Sequence, residues 1–264
     1  MVPDWLLPAL GFLVALVTLA ACYGYTLGAN LYVGGIPWPY ISDTGRAPPT
    51  YAVFAAGLTA TAVLLAALAA RVRLRLHASP EGGCCALRDL GISAQALLTA
   101  ACACLCLLAC LSTIQFPTAH DACAYAFFIL VIAAMAVHLA ADGKRFPGAP
   151  PLARKAILLR RGVFVIFAIA FLVYLPIGLA VNCAFQRLSV RACVLEEGLG
   201  EAYCKGLALP EDPSLTRLWD YSPCAGTNTM RSITQSVCVV AIFAFFGAFG
   251  LDLWEGEEAQ GASK

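Results

Sequence analysis

Six long stretches of the sequence are apolar and nearly free of charged side chains, and this feature constrains the fold most strongly. They lie at about residues 5–25, 51–70, 92–112, 120–140, 162–183 and 232–252. A helix needs roughly 20 apolar residues to cross the hydrocarbon core of a bilayer. We therefore predict an all-α fold, a bundle of six transmembrane helices. One membrane domain would span residues 1–254, followed by a short cytosolic tail of residues 255–264.

The composition of the chain favours lipid as the main solvent. Hydrophobic residues make up 61% of the chain, charged residues make up 12%, and the mean hydropathy is +0.79. A water-soluble fold of this size cannot bury so much apolar surface. The net charge is only +1, so nothing favours a nucleic-acid partner. We expect membrane lipids as partners, together with other membrane proteins.

Basic residues are concentrated in the connections after the second and fourth stretches, which hold ten of the 17 lysines and arginines. Cytosolic loops of membrane proteins carry an excess of Lys and Arg. We therefore expect these two loops to be cytosolic. Because the number of spans is even, both termini would be cytosolic as well. The first, third and fifth connections would then face the lumen of an organelle or the cell exterior.

The first of these lumenal connections contains a compact motif. It consists of Trp38, Pro39, Tyr40, Ile41, Ser42, Asp43, Thr44, Gly45, Arg46, Ala47, Pro48 and Pro49. The triplet Asp-Thr-Gly also occurs in aspartic proteases, but those enzymes need two carboxylates that share a proton. This chain has a single triplet between two helices, so we expect a structured turn packed against the end of the bundle.

Three polar residues are candidates for a lumenal site. His120 and Asp121 open the fourth span, and Asp43 lies in the motif on the same side of the membrane. One interpretation is that Asp121 only stabilises the start of its helix through the helix dipole. The other is that Asp43, His120 and Asp121 form a polar cluster that binds a lipid headgroup or stabilises the loop. We expect His138, further along the span, at the membrane interface.

Four cysteines lie in or beside the long fifth connection, namely Cys183, Cys193, Cys204 and Cys224. Disulfides persist in lumenal and extracellular compartments, so we expect at least one bridge among these four residues. Four cysteines allow three pairings, and all three remain open.

The other cysteines of interest lie elsewhere. Cys84 and Cys85 are in a basic cytosolic loop, where they are either palmitoylated or plain reduced thiols. Cys102, Cys106 and Cys110 share one helical face, which favours close helix packing over a metal site. We expect neither a metal nor a cofactor.

Recognised catalytic motifs are absent from the sequence, which contains no Walker loop, zinc-protease motif, hydrolase elbow or dinucleotide fingerprint. The middle of every span is free of charge, which argues against a proton pump or a charged ion channel. We therefore expect a protein that is not an enzyme.

The motif at residues 38–49, followed by Phe54, resembles the signature loop of the DRAM/FRAG/SFK family of six-span membrane proteins. Two further features are similar to that family. His120 is followed by Phe127 and Phe128, and the last span ends in a phenylalanine-rich segment before Asp252. The sequence departs from the family at residues 238–239, where Cys-Val replaces an expected Glu-Trp pair.

The resemblance implies a non-enzymatic membrane modulator. Such proteins act in autophagy and lysosomal function or in phosphoinositide signalling, and they reside in lysosomes, the Golgi or the plasma membrane. An alternative that the resemblance also implies is a factor that remodels lipids or GPI anchors through a lumenal polar site. The family implies no catalytic residues.

Overall fold

The computed structural model describes the backbone of residues 3–78, 85–177 and 186–254. Within these residues, six helices are long and apolar enough to cross a membrane. This confirms the predicted all-α, six-helix membrane fold. The tail at residues 255–264 and the cysteine at position 84 lie outside the described residues.

The long helices are α1 Leu6–Gly28, α3 Thr50–Ala78, α4 Cys85–Cys110, α5 Pro117–Arg145, α6 Pro151–Leu172 and α9 Ala225–Gly247. Helical residues continue to Trp254 after a turn at Ala248. The shorter elements are α2 Ile41–Thr44, a π-helical turn Val173–Ile177, β1 Gln186–Ser189, α7 Val190–Leu195, α8 Glu201–Gly206 and β2 Leu215–Asp220.

Several of the long helices begin earlier than the predicted spans, and α6 and α9 do so through an arginine. α6 starts at Pro151, whereas the predicted fifth span starts at residue 162, and α9 starts at Ala225 instead of 232. The prediction placed each boundary near charged side chains, since charge is expensive in lipid. Backbone hydrogen bonding continues through such residues when their side chains find partners inside the bundle. Arg160 and Arg231 both lie in helices for this reason.

The long helices follow one another around the bundle in the order α6, α9, α1, α3, α4 and α5. The ring closes where α5 meets α6, and this contact is smaller than the others. α1 and α3 approach closely at Gly57, where an added Cβ would overlap the Thr18 hydroxyl. Small residues allow membrane helices to pack in this way.

The residues between β1 and α9 form a small folded unit, which we call the cap (residues 186–224). β1 and β2 are antiparallel, and Arg187 lies opposite Trp219. A disulfide between Cys193 and Cys204 joins α7 to α8, and both cysteines are buried against Leu188 and Leu218. The all-α prediction missed this sheet, because two short strands rich in polar residues carry no clear alternating pattern.

The opposite end of the bundle is held together by buried charges. Arg160 is fully buried, and it donates two hydrogen bonds to Asp142, with N–O distances of 2.7 and 2.9 Å. Its Nη2 atom is also 2.9 Å from the Asp252 carboxylate. The guanidinium lies 4.4 Å from the centre of the Phe249 ring. One side chain of α6 thus joins α5 to the helical segment after α9.

His138 lies in the same region, and its position corrects the sequence-based expectation. The side chain is buried, and its ring centre is 4.7 Å from that of Phe249. It contacts the phenylalanines of the last helix instead of the membrane interface. Near the end of a span, the sequence does not show which face of the helix points inward.

We predict that Arg160→Met strongly destabilises the bundle, because Asp142 and Asp252 would remain buried without their cation. Loss of one partner from a buried ion pair costs roughly 3–5 kcal/mol. The measurement is thermal unfolding of the purified protein in lipid nanodiscs.

The matched control is Arg154→Met, since Arg154 is exposed and its guanidinium lies against the Phe146 ring and donates to the Ala149 carbonyl at 3.4 Å, without a buried carboxylate partner in the described part of the chain. We expect a loss of about 1 kcal/mol or less for this variant. The triple variant with Asp142→Asn and Asp252→Asn should recover part of the stability. Equal melting temperatures for the two arginine variants would contradict the role of Arg160.

Candidate functional site

The motif loop (residues 38–49) is fastened to two transmembrane helices, α1 and α9. The Trp38 ring stacks on Tyr23 with 5.1 Å between the ring centres, and its indole N–H donates to Ser236 at 3.1 Å. The backbone carbonyl of Trp38 accepts a hydrogen bond from Ser232, and that of Pro39 accepts one from Tyr23. These contacts hold the start of the loop across the end of the bundle.

The middle of the loop forms the short helix α2, which packs on the same end of the bundle. The Ile41 backbone N–H donates to the Gln235 side chain of α9 at 3.0 Å, and the Thr26 hydroxyl of α1 donates to the Thr44 carbonyl at 3.2 Å. Gly45 lies directly against the Phe54 ring, and a Cβ at this position would overlap that ring. The loop therefore needs glycine here in order to approach α3.

Asp43 joins the motif loop to the cap. Its carboxylate accepts a hydrogen bond from the Tyr221 hydroxyl at 3.0 Å and pairs with Arg46 at 3.4 Å, and all three side chains are buried. Arg46 also donates to the Tyr32 carbonyl. Burial raises the pKa of Asp43 above its ordinary value, and Arg46, Tyr221 and His120 oppose that rise. The pair lies outside the spans, where the motif and the cap meet.

His120 is buried in the first turn of α5, and the hydrogen bond it makes fixes its tautomer. Its Nδ1 atom is 2.7 Å from the Leu111 carbonyl oxygen. A carbonyl oxygen can only accept, so Nδ1 carries a proton. In the neutral ring, Nε2 is then the nitrogen with a free lone pair. Asp121 is adjacent and exposed, and within the described residues its carboxylate has no hydrogen bond or ion pair.

Asp43, His120 and Asp121 all line one pocket, which has a cavity volume of about 180 Å³ and is partly open to the outside. The polar part of the lining lies near the motif loop and the cap: Tyr40, Ser42, Asp43, His120, Asp121, Tyr174, Tyr221, Arg231 and Gln235. The apolar part extends between the helices: Leu19, Phe54, Leu58, Leu105, Leu108, Phe127, Phe128, Val239 and Phe243. The pocket is therefore polar at one end and apolar along its depth.

The exposed residues of the pocket lining lie on α5. They are Asp121 and Tyr125, and Tyr125 is 53% exposed. The neighbouring contact between α5 and α6 is the small one that closes the helix ring. Deeper in the bundle, Phe128 closes the gap against Phe171 and Tyr174, with ring centres 6.2 and 5.9 Å away.

Comparison of the chain with models of known protein families gives one match. The model of the Frag1/DRAM/Sfk1/Cwh43P N-terminal domain matches residues 3–256. The chain belongs to this family. The resemblance inferred from the motif loop is thereby confirmed, and the protein is a multi-pass membrane protein of the Frag1/DRAM/Sfk1 type. Searches among curated proteins and among solved structures found no match.

The other residues predicted from the sequence of this Frag1/DRAM/Sfk1 family member are cysteines and the two prolines at the end of the motif loop. Cys193 pairs with Cys204, and Cys224 is also disulfide-bonded. Cys183, the side chain of Cys85 and all of Cys84 lie outside the described residues. Pro48 and Pro49 are joined by a cis peptide bond. Within the described residues, no group of three or more His, Cys, Asp or Glu side chains could hold a metal ion.

Several lining residues were missed by the sequence-based prediction, chiefly Arg231, Gln235, Tyr174 and Tyr221. A signal was available for Gln235, because an amide inside an otherwise apolar span is expensive and often functional. Arg231 lies one residue before the predicted start of the last span. Only the fold shows that both residues share one face of α9 and turn toward the pocket.

We predict that Asp43→Asn removes a pH dependence of stability. The pKa of Asp43 is raised in the folded protein, so the folded state holds this proton more tightly than the unfolded chain. The resulting stabilisation is full below the ordinary carboxyl pKa of about 4, and it is lost as the pH rises through the folded-state pKa. Wild type should therefore lose stability relative to Asp43→Asn as the pH increases.

The measurement is the melting temperature of both proteins across a pH series. Glu211→Gln serves as the control, because Glu211 is an exposed carboxylate of the cap. Its curve should run parallel to that of wild type. If the Asp43→Asn curve also runs parallel to wild type, the buried carboxyl group does not set the pH dependence.

Proposed function

We propose that this protein binds a membrane lipid in the pocket and acts through it as a non-enzymatic modulator. The headgroup would lie among the polar side chains below the motif loop, and an acyl chain would lie along the apolar wall. One observation carries the proposal: a single pocket within the membrane domain combines a polar end with an apolar depth. Amphipathic ligands need both parts, and ligand pockets are typically apolar with a few well-placed polar groups.

The surroundings of the pocket favour a ligand that arrives from the bilayer. Above the polar end, the motif loop and the cap are joined by the Tyr221–Asp43 hydrogen bond, and Tyr40 donates to Asn228 of α9 at 3.1 Å. These contacts cover the pocket on the cap side. The exposed lining residues Asp121 and Tyr125 lie on the outer face of α5, which would contact lipid in the proposed arrangement. A lipid can enter sideways there without leaving the membrane.

The proposal includes an orientation, with the cap in the lumen or at the cell exterior. The Cys193–Cys204 disulfide supports it, since such bonds persist in oxidising compartments. The opposite end carries Arg71, Arg154 and Arg161, as expected for a cytosolic face. The lipid headgroup would then belong to the lumenal or outer leaflet.

We predict opposite labelling of two cysteine substitutions in sealed microsomes, whose lumen is inside. Lys155→Cys should react with a membrane-impermeant maleimide in intact vesicles, because Lys155 is exposed at the basic end. Glu211→Cys, in the cap, should react only after the vesicles are permeabilised. Wild type measures the background from native thiols. The reverse pattern would place the cap in the cytosol and overturn the orientation.

The cellular role that fits a lipid-binding member of this family is modulation of autophagy and lysosomal function or of phosphoinositide signalling. A protein without a catalytic centre can act there by holding a lipid or by presenting it to a partner. Residence in the lysosome, the Golgi or the plasma membrane separates these roles. Localisation of a tagged full-length chain in cells identifies the compartment in which the protein resides.

A second candidate is remodelling of a lipid or of a GPI anchor. The observation that favours it is the His120 tautomer, because Nδ1 donates to Leu111 and leaves Nε2 as a proton acceptor in a residue that lines the pocket. A histidine held in this way can act as a general base if the reacting group comes within hydrogen-bond reach. The two candidates differ in whether the bound lipid changes covalently.

We predict that Val239→Trp empties the pocket of lipid. Val239 lines the apolar wall, and overfilling such a site costs roughly 1–3 kcal/mol, so retained lipid should fall by about tenfold. The matched control is Val240→Trp, because Val240 is the next residue of α9 and is exposed toward the membrane. Mass spectrometry of lipid retained by the purified protein measures both variants.

Equal lipid retention by the two tryptophan variants would contradict the proposed lipid site. The same measurement tests the second candidate after incubation of the protein with lipid. A lipid that keeps its mass supports the modulator. A lipid whose mass changes with wild type, but not with His120→Gln, supports remodelling instead.

A further inference from the structure

We propose that the bound lipid is a phospholipid whose headgroup carries both a phosphate and an amine cation, and that Arg231 and Asp121 select it. The inference rests on the proposed function, because it concerns the ligand of the same pocket. It follows from charges of opposite sign on two different helices that line one polar compartment. Phosphocholine and phosphoethanolamine headgroups have this pattern.

Arg231 supplies the positive charge. It lies on α9, only 7% of its surface is exposed, and its Nε donates to the Tyr174 carbonyl at 3.3 Å. This hydrogen bond fixes the guanidinium group within the pocket lining. Guanidinium groups bind phosphate with strong, charge-assisted hydrogen bonds. Gln235, one helical turn further along α9, also lines the pocket and can donate from its amide.

Asp121 supplies the negative charge from α5. Asp43 is a poor candidate for this role, because its carboxylate is already occupied by Arg46 and Tyr221. Asp121 has no such partners in the described parts of the chain, and Arg187 is the arginine whose charge acts on it. Arg187 donates to the Arg217 carbonyl at 2.7 Å and stacks on Trp219, so its guanidinium is engaged within the cap.

Aromatic side chains surround the same compartment, namely Tyr40, Tyr125, Tyr174, Trp219 and Tyr221. The rings of Tyr40 and Tyr221 meet edge to face, with 5.0 Å between their centres. Aromatic faces attract organic cations, including quaternary ammonium groups, and this attraction adds to that of a carboxylate. The compartment therefore suits an alkylated or primary ammonium group beside the phosphate.

Other lipid classes match only part of this arrangement. An anionic phospholipid such as phosphatidylglycerol would pair its phosphate with Arg231, but its neutral glycerol headgroup would supply no cation to Asp121. A neutral lipid such as diacylglycerol would bring neither a phosphate to Arg231 nor a cation to Asp121. Like charges disfavour a ligand, whereas complementary charges select it. A zwitterionic headgroup is the class that complements both residues.

The experiment is native mass spectrometry of the full chain with an equimolar mixture of four lipids that share the same acyl chains. These are phosphatidylcholine, phosphatidylethanolamine, phosphatidylglycerol and diacylglycerol. We expect wild type to prefer the two zwitterionic lipids over phosphatidylglycerol by about fivefold, the factor that one accessible charge pair supplies. Diacylglycerol should bind least.

Substitutions of Asp121 and Arg231 test the negative and the positive charge one at a time. Asp121→Asn should bring phosphatidylglycerol level with the zwitterionic lipids, and Arg231→Gln should abolish the preference for phospholipids over diacylglycerol. Arg231→Lys keeps the positive charge and should keep the preference for phospholipids over diacylglycerol. This variant controls for the possibility that Arg231→Gln loses the preference because it misfolds. Glu211→Gln and Arg154→Gln make the same charge changes at exposed sites and should leave all ratios unchanged.

Two results would overturn this inference while leaving the lipid site intact. One is a wild-type protein that binds phosphatidylglycerol or diacylglycerol as well as the zwitterionic lipids. The other is an Asp121→Asn variant whose lipid ratios equal those of wild type. A wild-type protein that binds none of the four lipids contradicts the proposed function itself, so the two failures are distinguishable.

Discussion

The buried Asp43 carboxylate is the interaction on which one end of this molecule depends. A carboxylate removed from water is stable only when it is paired and hydrogen-bonded, and Arg46 and Tyr221 meet that need from the motif loop and from the cap. Ser112, in the third connection, donates to the Arg46 carbonyl at 3.2 Å. Three connections that are distant in sequence therefore meet at this ion pair, and together they cover one end of the helix bundle.

The membrane domain carries charge at both ends, and the two clusters differ in character. Around Arg160 the charges are paired with one another inside the bundle, so that end is a structural joint between α5, α6 and the last helix. Near the motif loop, Asp121 and Arg231 instead line a pocket that continues into apolar surroundings.

In the proposed arrangement, the exposed part of the lining links this pocket to the bilayer. Among neighbouring helices of the ring, α5 and α6 make the smallest contact, and the exposed residues of the pocket lining lie on α5. The motif loop lies over the polar end through direct hydrogen bonds to α1 and α9, and the cap is joined to this loop by the Tyr221–Asp43 hydrogen bond. In the proposed lipid-binding role, the lipid would keep its acyl chains in the membrane while its headgroup reaches the polar residues.

The sequence by itself determined the six apolar helices and the family, because lipid requires every backbone polar group to bond within its own helix and because the motif at residues 38–49 is distinctive. It also singled out Asp43, His120 and Asp121, since ionisable groups beside spans are conspicuous. Only the tertiary structure decided that these three residues share a pocket with Arg231 and Gln235, that His138 is buried, and that Cys193 pairs with Cys204. Those outcomes depend on which helix faces turn inward and on contacts between distant segments, and an apolar pattern that surrounds a helix on all sides leaves its inward face undefined.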